Sequence, residues 1–83
     1  MNIDLLIKMA NEIGAYFASE PDTEQAVKDV AAHLRRYWEP RMRRQMIAYY
    51  QERQGAGLSE LALRGVGLLA AAEPPQEPPS GPL

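Results

Sequence analysis

The sequence contains no cysteine, and His33 is its single histidine among 83 residues. The absence of cysteine excludes disulfides, and one imidazole without thiolates cannot supply the ligands of a zinc site or an iron–sulfur cluster. No apolar run approaches the roughly 20 residues that span a bilayer. Residues 1–4 also lack the positive region that precedes the apolar core of a signal peptide. We therefore expect a soluble, cytoplasmic chain with no membrane contact.

The sequence also lacks an overall excess of positive charge. Its formal net charge is −2 and its sequence pI is near 5.3, which argues against a general nucleic-acid binder. The distribution is uneven, however, because five of the nine basic side chains lie between Arg35 and Arg44. Any electrostatic recognition is therefore expected at this segment.

Apolar residues recur every three to four positions, which is typical of amphipathic helices and predicts an all-α fold with no strand. We expect a first helix over about residues 3–18 and a second that begins at Asp22, which with Gln25 resembles a capping box. Pro40 predicts a kink or a tight restart rather than an unbroken helix. Gly55 and Gly57 end the third segment. Ser59 is then the expected N-cap of a fourth, in which Gly65 and Gly67 would each cost about 1 kcal/mol relative to alanine.

The spacing also predicts which side chains face the core. The predicted buried residues of the four segments are Leu6, Met9, Ile13, Tyr16 and Phe17; Val27, Val30, Ala31 and Leu34 with either Tyr37 or Trp38; Met42, Met46, Tyr49 and Tyr50; and Leu61, Leu63, Val66, Leu68 and Leu69. These faces predict a small bundle of three to four helices over residues 1–72.

The last ten residues contain five prolines, so residues 73–83 are expected to form a disordered or polyproline-like tail outside the core. A core built from the remaining residues supplies only about 3–5 kcal/mol of net stability. Without disulfides or metal, binding to a larger subunit is the remaining way to stabilise such a chain. We expect that its work is to bind another protein.

No pattern of residues indicates a catalytic site. The serines lie at helix ends or in the tail without an activating base. The segment 55–57 follows a helix rather than a strand and has no lysine where a phosphate-binding loop needs one. Acidic residues are spread along solvated faces, so acid–base chemistry has no evident location. We expect a chain that is not an enzyme by itself and has no catalytic, cofactor-binding or metal-ligating residues.

The densest group of recognition residues surrounds Pro40. Arginine with tryptophan and tyrosine is enriched where proteins bind one another, because guanidinium groups pair with carboxylates and stack on rings. Two alternatives remain open: a solvated basic face with Trp38 as ordinary core, or an anion site for a nucleotide or RNA that uses residues 35–44. The predicted partner-binding residues are Arg35, Arg36, Tyr37, Trp38, Arg41, Arg43 and Arg44. Trp38 is the expected anchor buried against the partner, and the arginines are expected to contact acidic groups.

Two blocks, residues 5–17 (LLIKMANEIGAYF) and residues 32–44 (AHLRRYWEPRMRR), are similar to the delta subunit of bacterial NAD-dependent, molybdenum-containing formate dehydrogenase. The resemblance covers approximately residues 3–50. Nothing is carried over to the residues beyond Leu58, which are less characteristic.

The resemblance implies a small cytoplasmic accessory subunit that binds no redox centre itself. Its expected partner is the large catalytic subunit, within a complex that holds molybdopterin guanine dinucleotide, iron–sulfur clusters, FMN and NAD. Its implied role is the assembly or stability of that enzyme. The residues themselves leave a second hypothesis open, a small RNA-binding or nucleotide-binding protein. The salt dependence of binding distinguishes the two hypotheses.

Overall fold

The computed structural model describes residues 2–72, and these form four α-helices without a strand. The helices are α1 (Ile3–Phe17), α2 (Thr23–Tyr37), α3 (Pro40–Arg53) and α4 (Glu60–Ala72). The all-α prediction is confirmed, and the observed number of helices is four. The expected tail, residues 73–83, lies outside the described residues.

Polar side chains cap the N-termini of α1 and α2. The Asp4 amide donates to Asn2 Oδ1 at 2.7 Å, and the amides of Glu24 and Gln25 donate to Asp22 Oδ1 at 3.1 and 3.3 Å. Asp22 is therefore the N-cap, as predicted, but the reciprocal half of the capping box is absent. The Gln25 side chain donates to Asp29 Oδ1 instead, at 2.9 Å, because a residue one turn further along the helix is also within its reach.

Two non-helical residues separate α2 from α3, so the chain stops and restarts at the proline. Trp38 and Glu39 have extended backbone conformations, with ψ of 140° and 151°, and Pro40 is the first residue of α3. An extended conformation before proline avoids the clash between the proline ring and the preceding residue. Of the two outcomes that the sequence left open, a kink or a tight restart, the structure shows the tight restart.

The core lies between all four helices. Its fully buried large side chains are Leu6, Leu34, Met46, Leu69, Val30 and Val66. Trp38 is 5% exposed and belongs to this cluster, whereas Tyr37 is 65% exposed, which decides between the two residues that the helical spacing left open. The prediction that Tyr16 and Leu68 are buried was wrong, because they are 75% and 40% exposed. Ala10 and Ala62, both fully buried, take up core positions instead.

Glycines allow α4 to approach its neighbours closely. A Cβ atom at Gly65 would lie 2.7 Å from Val30 Cβ of α2, and one at Gly14 would lie 3.3 Å from the Ala62 nitrogen of α4. No side chain fits at the first position without movement of a β-branched neighbour. Gly65, which weakens α4 as an isolated helix, therefore permits the close packing of α4 on α2.

The connection between α3 and α4 is held by side chains from both directions. Asn11 of α1 donates to the Gly57 carbonyl at 3.0 Å and accepts from the Ser59 amide at 2.8 Å. Tyr49 donates its hydroxyl hydrogen to the Ala56 carbonyl at 2.6 Å. Gly57 has a φ of +93°, a value that favours glycine. These bonds fix the start of α4 against α1.

Candidate partner-binding surface

The seven predicted partner-binding residues lie together at the end of α2 and the beginning of α3, but they differ in exposure. Five are exposed, Arg43 is half-buried and Trp38 is buried. The five exposed residues, called the basic surface below, are Arg35, Arg36, Tyr37, Arg41 and Arg44. The outward aromatic ring at this position is therefore that of Tyr37.

Arg43 binds the end of the preceding helix. Its Nη1 donates to the Trp38 carbonyl at 2.6 Å and to the Arg35 carbonyl at 3.1 Å. Pro40 carries no amide hydrogen, and α2 ends before it, so carbonyls of the last turn lack helical donors. A cation near a helix C-terminus also favours the helix dipole. For these two carbonyls, the chain supplies its own donor.

Trp38 connects the basic surface to the core. Its amide closes α2 by donating to the Leu34 carbonyl at 3.0 Å, and its side chain packs in the core cluster. The indole therefore helps to fix the junction between α2 and α3, where the exposed arginines lie.

An aromatic ladder, defined here as Tyr16, Phe17, His33 and Tyr37, runs across α1 and α2 beside the basic surface. The ring centroids of Tyr16 and Phe17 are 4.9 Å apart, those of Phe17 and His33 are 5.9 Å apart, and those of His33 and Tyr37 are 4.7 Å apart. The Arg36 guanidinium lies 5.5 Å from the Tyr37 ring centroid, within the range of a cation–π contact. The ladder thus ends at the basic surface.

Two shallow grooves flank the ladder and share the rings of Tyr16, His33 and Tyr37. One has a volume of about 500 Å³ and also includes Phe17 and Arg36. The other has a volume of about 430 Å³ and continues over Met9, Ile13 and Met42. Together they form a mostly apolar strip with an arginine at its side. Such a strip fits a peptide or helix better than a small charged substrate.

Sequence reasoning missed the ladder because it assigned Tyr16 and Phe17 to the buried face of α1. A weak signal was present: His33 and Tyr37 are four residues apart, so they lie on one helix face. The contribution of α1 depends on how the two helices cross, and helical periodicity does not specify a crossing.

Outside this region, an ion pair connects α2 and α4. Arg64 of α4 pairs with Glu24 of α2 at 2.8 Å across the helix boundary, an exposed contact that contributes about 0–1 kcal/mol. Among residues 2–72, no three histidine, aspartate or glutamate side chains come close enough to hold a metal ion. No helix in the described part of the chain is long and apolar enough to cross a membrane.

A family model described as the NADH-dependent formate dehydrogenase delta subunit, FdsD, matches residues 5–66. The chain belongs to this family. The matched range contains all of α2 and α3, the ladder and the basic surface. Neither the curated proteins nor the solved structures include a significant match to this chain.

Membership confirms the resemblance to a formate dehydrogenase delta subunit. The match extends beyond the approximately 50 residues that carried the resemblance and includes the first half of α4. As a delta subunit, the chain has the other subunits of an NAD-dependent formate dehydrogenase as its partners.

Proposed function

We propose that this chain is a non-catalytic accessory subunit in the cytoplasm that binds the large, molybdenum-cofactor-containing catalytic subunit of the formate dehydrogenase and assists its assembly or stability. The observation that carries the proposal is the family match over residues 5–66. The proposed role of the chain is to bind the large subunit, and other subunits of the complex carry out the reaction.

The proposed contact is the basic surface together with the two residues beneath it, Trp38 and Arg43. Tyr37 is the candidate for burial against the partner, because it is a large ring that is 65% exposed and tyrosine is enriched among residues that dominate binding. The flanking arginines would pair with carboxylates of the partner, and desolvation strengthens each correctly formed pair. Trp38 and Arg43 would hold the junction in shape.

Within the complex, molybdopterin guanine dinucleotide, iron–sulfur clusters, FMN and NAD are expected to be bound by other subunits. Fe–S clusters need thiolates or comparable ligands, and this sequence has no cysteine. The proposed contribution to cofactor chemistry is therefore indirect, through the folding or assembly of the subunit that binds the cofactors.

Co-purification from the native host tests the proposal. A tagged chain should retain the large catalytic subunit, whereas the double variant Arg36→Glu/Arg41→Glu should lose it. A matched variant is Arg53→Glu, because Arg53 is an exposed arginine in the last turn of α3, away from the junction. Equal recovery of the large subunit with the parent chain, the double variant and Arg53→Glu would refute the proposed surface.

The alternative that the basic surface binds RNA or a nucleotide predicts a different result in the same preparation. Binding to nucleic acid through several arginines weakens steeply with salt, whereas an interface with a buried aromatic anchor weakens less. Co-purifying nucleic acid that dissociates with increasing salt, without a protein partner, would favour the alternative.

A further inference from the structure

The groove of about 430 Å³ lies where α1 meets the junction of α2 and α3. Six of its eight lining side chains are apolar or aromatic, namely Met9, Ile13, Tyr16, Tyr37, Trp38 and Met42. Among these six, Trp38 alone is buried, and the other five are exposed or half-buried. The groove therefore retains apolar surface that a partner can cover.

The α1 side of this groove belongs to a longer apolar stripe. Met9, Ile13 and Tyr16 are spaced by four and three residues, so they lie on one face of α1. Leu5, four residues before Met9, lies on the same face and is 45% exposed. At the rise of an α-helix, the distance along α1 from Leu5 to Tyr16 is about 16 Å, or about three turns. A helix of about three turns matches this length.

The backbone of the groove walls favours a helix over an extended peptide. The lining residues from α1 and α2 lie within helices, whose backbone groups pair with one another. The Trp38 carbonyl already accepts from Arg43 at 2.6 Å, and residues 2–72 contain no strand to which a peptide could add. An extended peptide would therefore bury amides and carbonyls without partners. A helix pairs its own backbone groups and offers apolar side chains at this spacing.

The charges beside the groove determine the polar edge of such a helix. Glu12 lines the groove from α1, whereas Arg36 of α2 and Arg41 of α3 are exposed near the junction. Residues 35–44 contain five arginines and one glutamate, so their formal charge is +4. The first turn of α3 has no acidic residue and Glu39 does not cap it with its side chain, so the helix dipole adds to this positive charge. The complementary edge is acidic.

We propose that this groove binds an amphipathic helix of the large catalytic subunit, about three turns long. Its apolar face packs on Met9, Ile13 and Tyr16, and acidic residues lie along the edge that faces Arg36 and Arg41. The inference rests on the proposed function for the identity of the partner. It adds the kind of element that is bound and the contribution of α1 to the contact.

The absence of native cysteine permits a cross-linker to be placed beside the groove in the full chain. Ala15, the exposed neighbour of Tyr16, is changed to cysteine and labelled with a benzophenone before the purified large subunit is added. Mass spectrometry of the irradiated complex should identify a segment with apolar residues three and four positions apart and acidic residues beside them. An intact complex without a cross-link would overturn the proposal. So would a cross-link to a segment of another pattern, to a second copy of the chain or to nucleic acid.

A pair of variants separates the groove from the proposed function. Tyr16→Ala removes a ring that is 75% exposed, so the helical melt should be retained while the affinity for the large subunit falls by about tenfold or more. Leu68→Ala removes a 40% exposed apolar side chain of α4 outside this groove, and the affinity should stay within about twofold. Equal affinity of the parent and both variants would overturn the groove alone. A parent chain that does not bind the large subunit would overturn the proposed function as well.

Discussion

At the residue scale, the arginines around Pro40 look equivalent in the sequence but have different roles in the structure. Arg43 is half-buried and binds two carbonyls at the end of α2, whereas Arg44, the next residue, is exposed. A cluster of five arginines could be predicted from the sequence alone. The assignment of one to a helix end could not, because it depends on the path of the chain after the proline.

Replacing Arg43 with alanine should destabilise the isolated chain by about 1–3 kcal/mol, because two carbonyls lose a charged donor. The change is measured as the shift in urea denaturation, with Arg44→Ala as the control, for which we expect a change within about 0.5 kcal/mol. Equal effects of the two substitutions would contradict the assignment of Arg43 to the end of α2.

Trp38 and Tyr37 form a second pair of neighbours with opposite environments. Trp38→Ala should cost about 3–5 kcal/mol, because it removes a buried aromatic side chain. This is comparable to the whole expected stability of about 3–5 kcal/mol, so the isolated variant should be largely unfolded. Tyr37→Ala should leave the circular dichroism melt nearly unchanged. A folded Trp38→Ala chain with normal stability would show that the indole is not part of the core.

At the element scale, the extents of the helices were largely predictable, since caps, glycines and a proline mark their ends. The α1 prediction of about residues 3–18 compares with Ile3–Phe17, and the predicted restart at Pro40 is where α3 begins. The packing was less predictable. Gly65 lowers the helix propensity of α4. Only its close approach to Val30 of α2 explains why a glycine occupies this position.

Gly65→Ala should therefore destabilise the protein by about 1–3 kcal/mol through overpacking, although alanine gains about 1 kcal/mol in helix propensity. Thermal unfolding of Gly65→Ala, Val30→Ala and the double variant measures the coupling between the two positions. The double variant should be more stable than the sum of the two single effects predicts. Strict additivity, or stabilisation by Gly65→Ala alone, would contradict close packing of α2 on α4.

The connection between α3 and α4 has its own test at Asn11, whose role the sequence did not suggest. Asn11→Ala removes one donor and one acceptor for the residues before α4, and we expect a loss of about 1–2 kcal/mol in denaturant unfolding. Glu12→Ala, at the exposed neighbouring position, should have little effect. If both variants unfold alike, Asn11 does not hold the connection.

At the scale of the whole molecule, the four helices of residues 2–72 enclose a small core and present a surface that combines exposed rings and arginines. From the sequence, we predicted the arginine cluster and Tyr37 as partner-binding residues, and we predicted the family. It could not predict that the rings of α1 extend this surface, because Tyr16 and Phe17 join it only through the crossing of α1 and α2. The family match gives the chain a class of partner, and the assignment of that partner to this surface is a proposal.

The isolated chain should be of low stability and should gain stability in the complex, because anything that binds only the folded state stabilises it. Mesophilic domains commonly melt at about 45–65 °C, and we expect the free subunit to lie in or below this range. Addition of the purified large subunit should raise the melting temperature in a concentration-dependent way. A cooperative melt above about 80 °C for the free chain would be incompatible with this expectation.

The most direct measurement is the affinity of the purified chain for the purified large catalytic subunit, compared between the parent chain, Tyr37→Ala and Arg53→Ala. Because both residues are exposed, each variant should keep the helical melt of the parent. Loss of Tyr37 as a buried anchor should weaken binding by about 2–4 kcal/mol, which is roughly 30-fold to 1,000-fold in the dissociation constant, and Arg53→Ala should change it by less than about 1 kcal/mol. Unchanged affinity after Tyr37→Ala, in a chain that remains folded, would contradict the account.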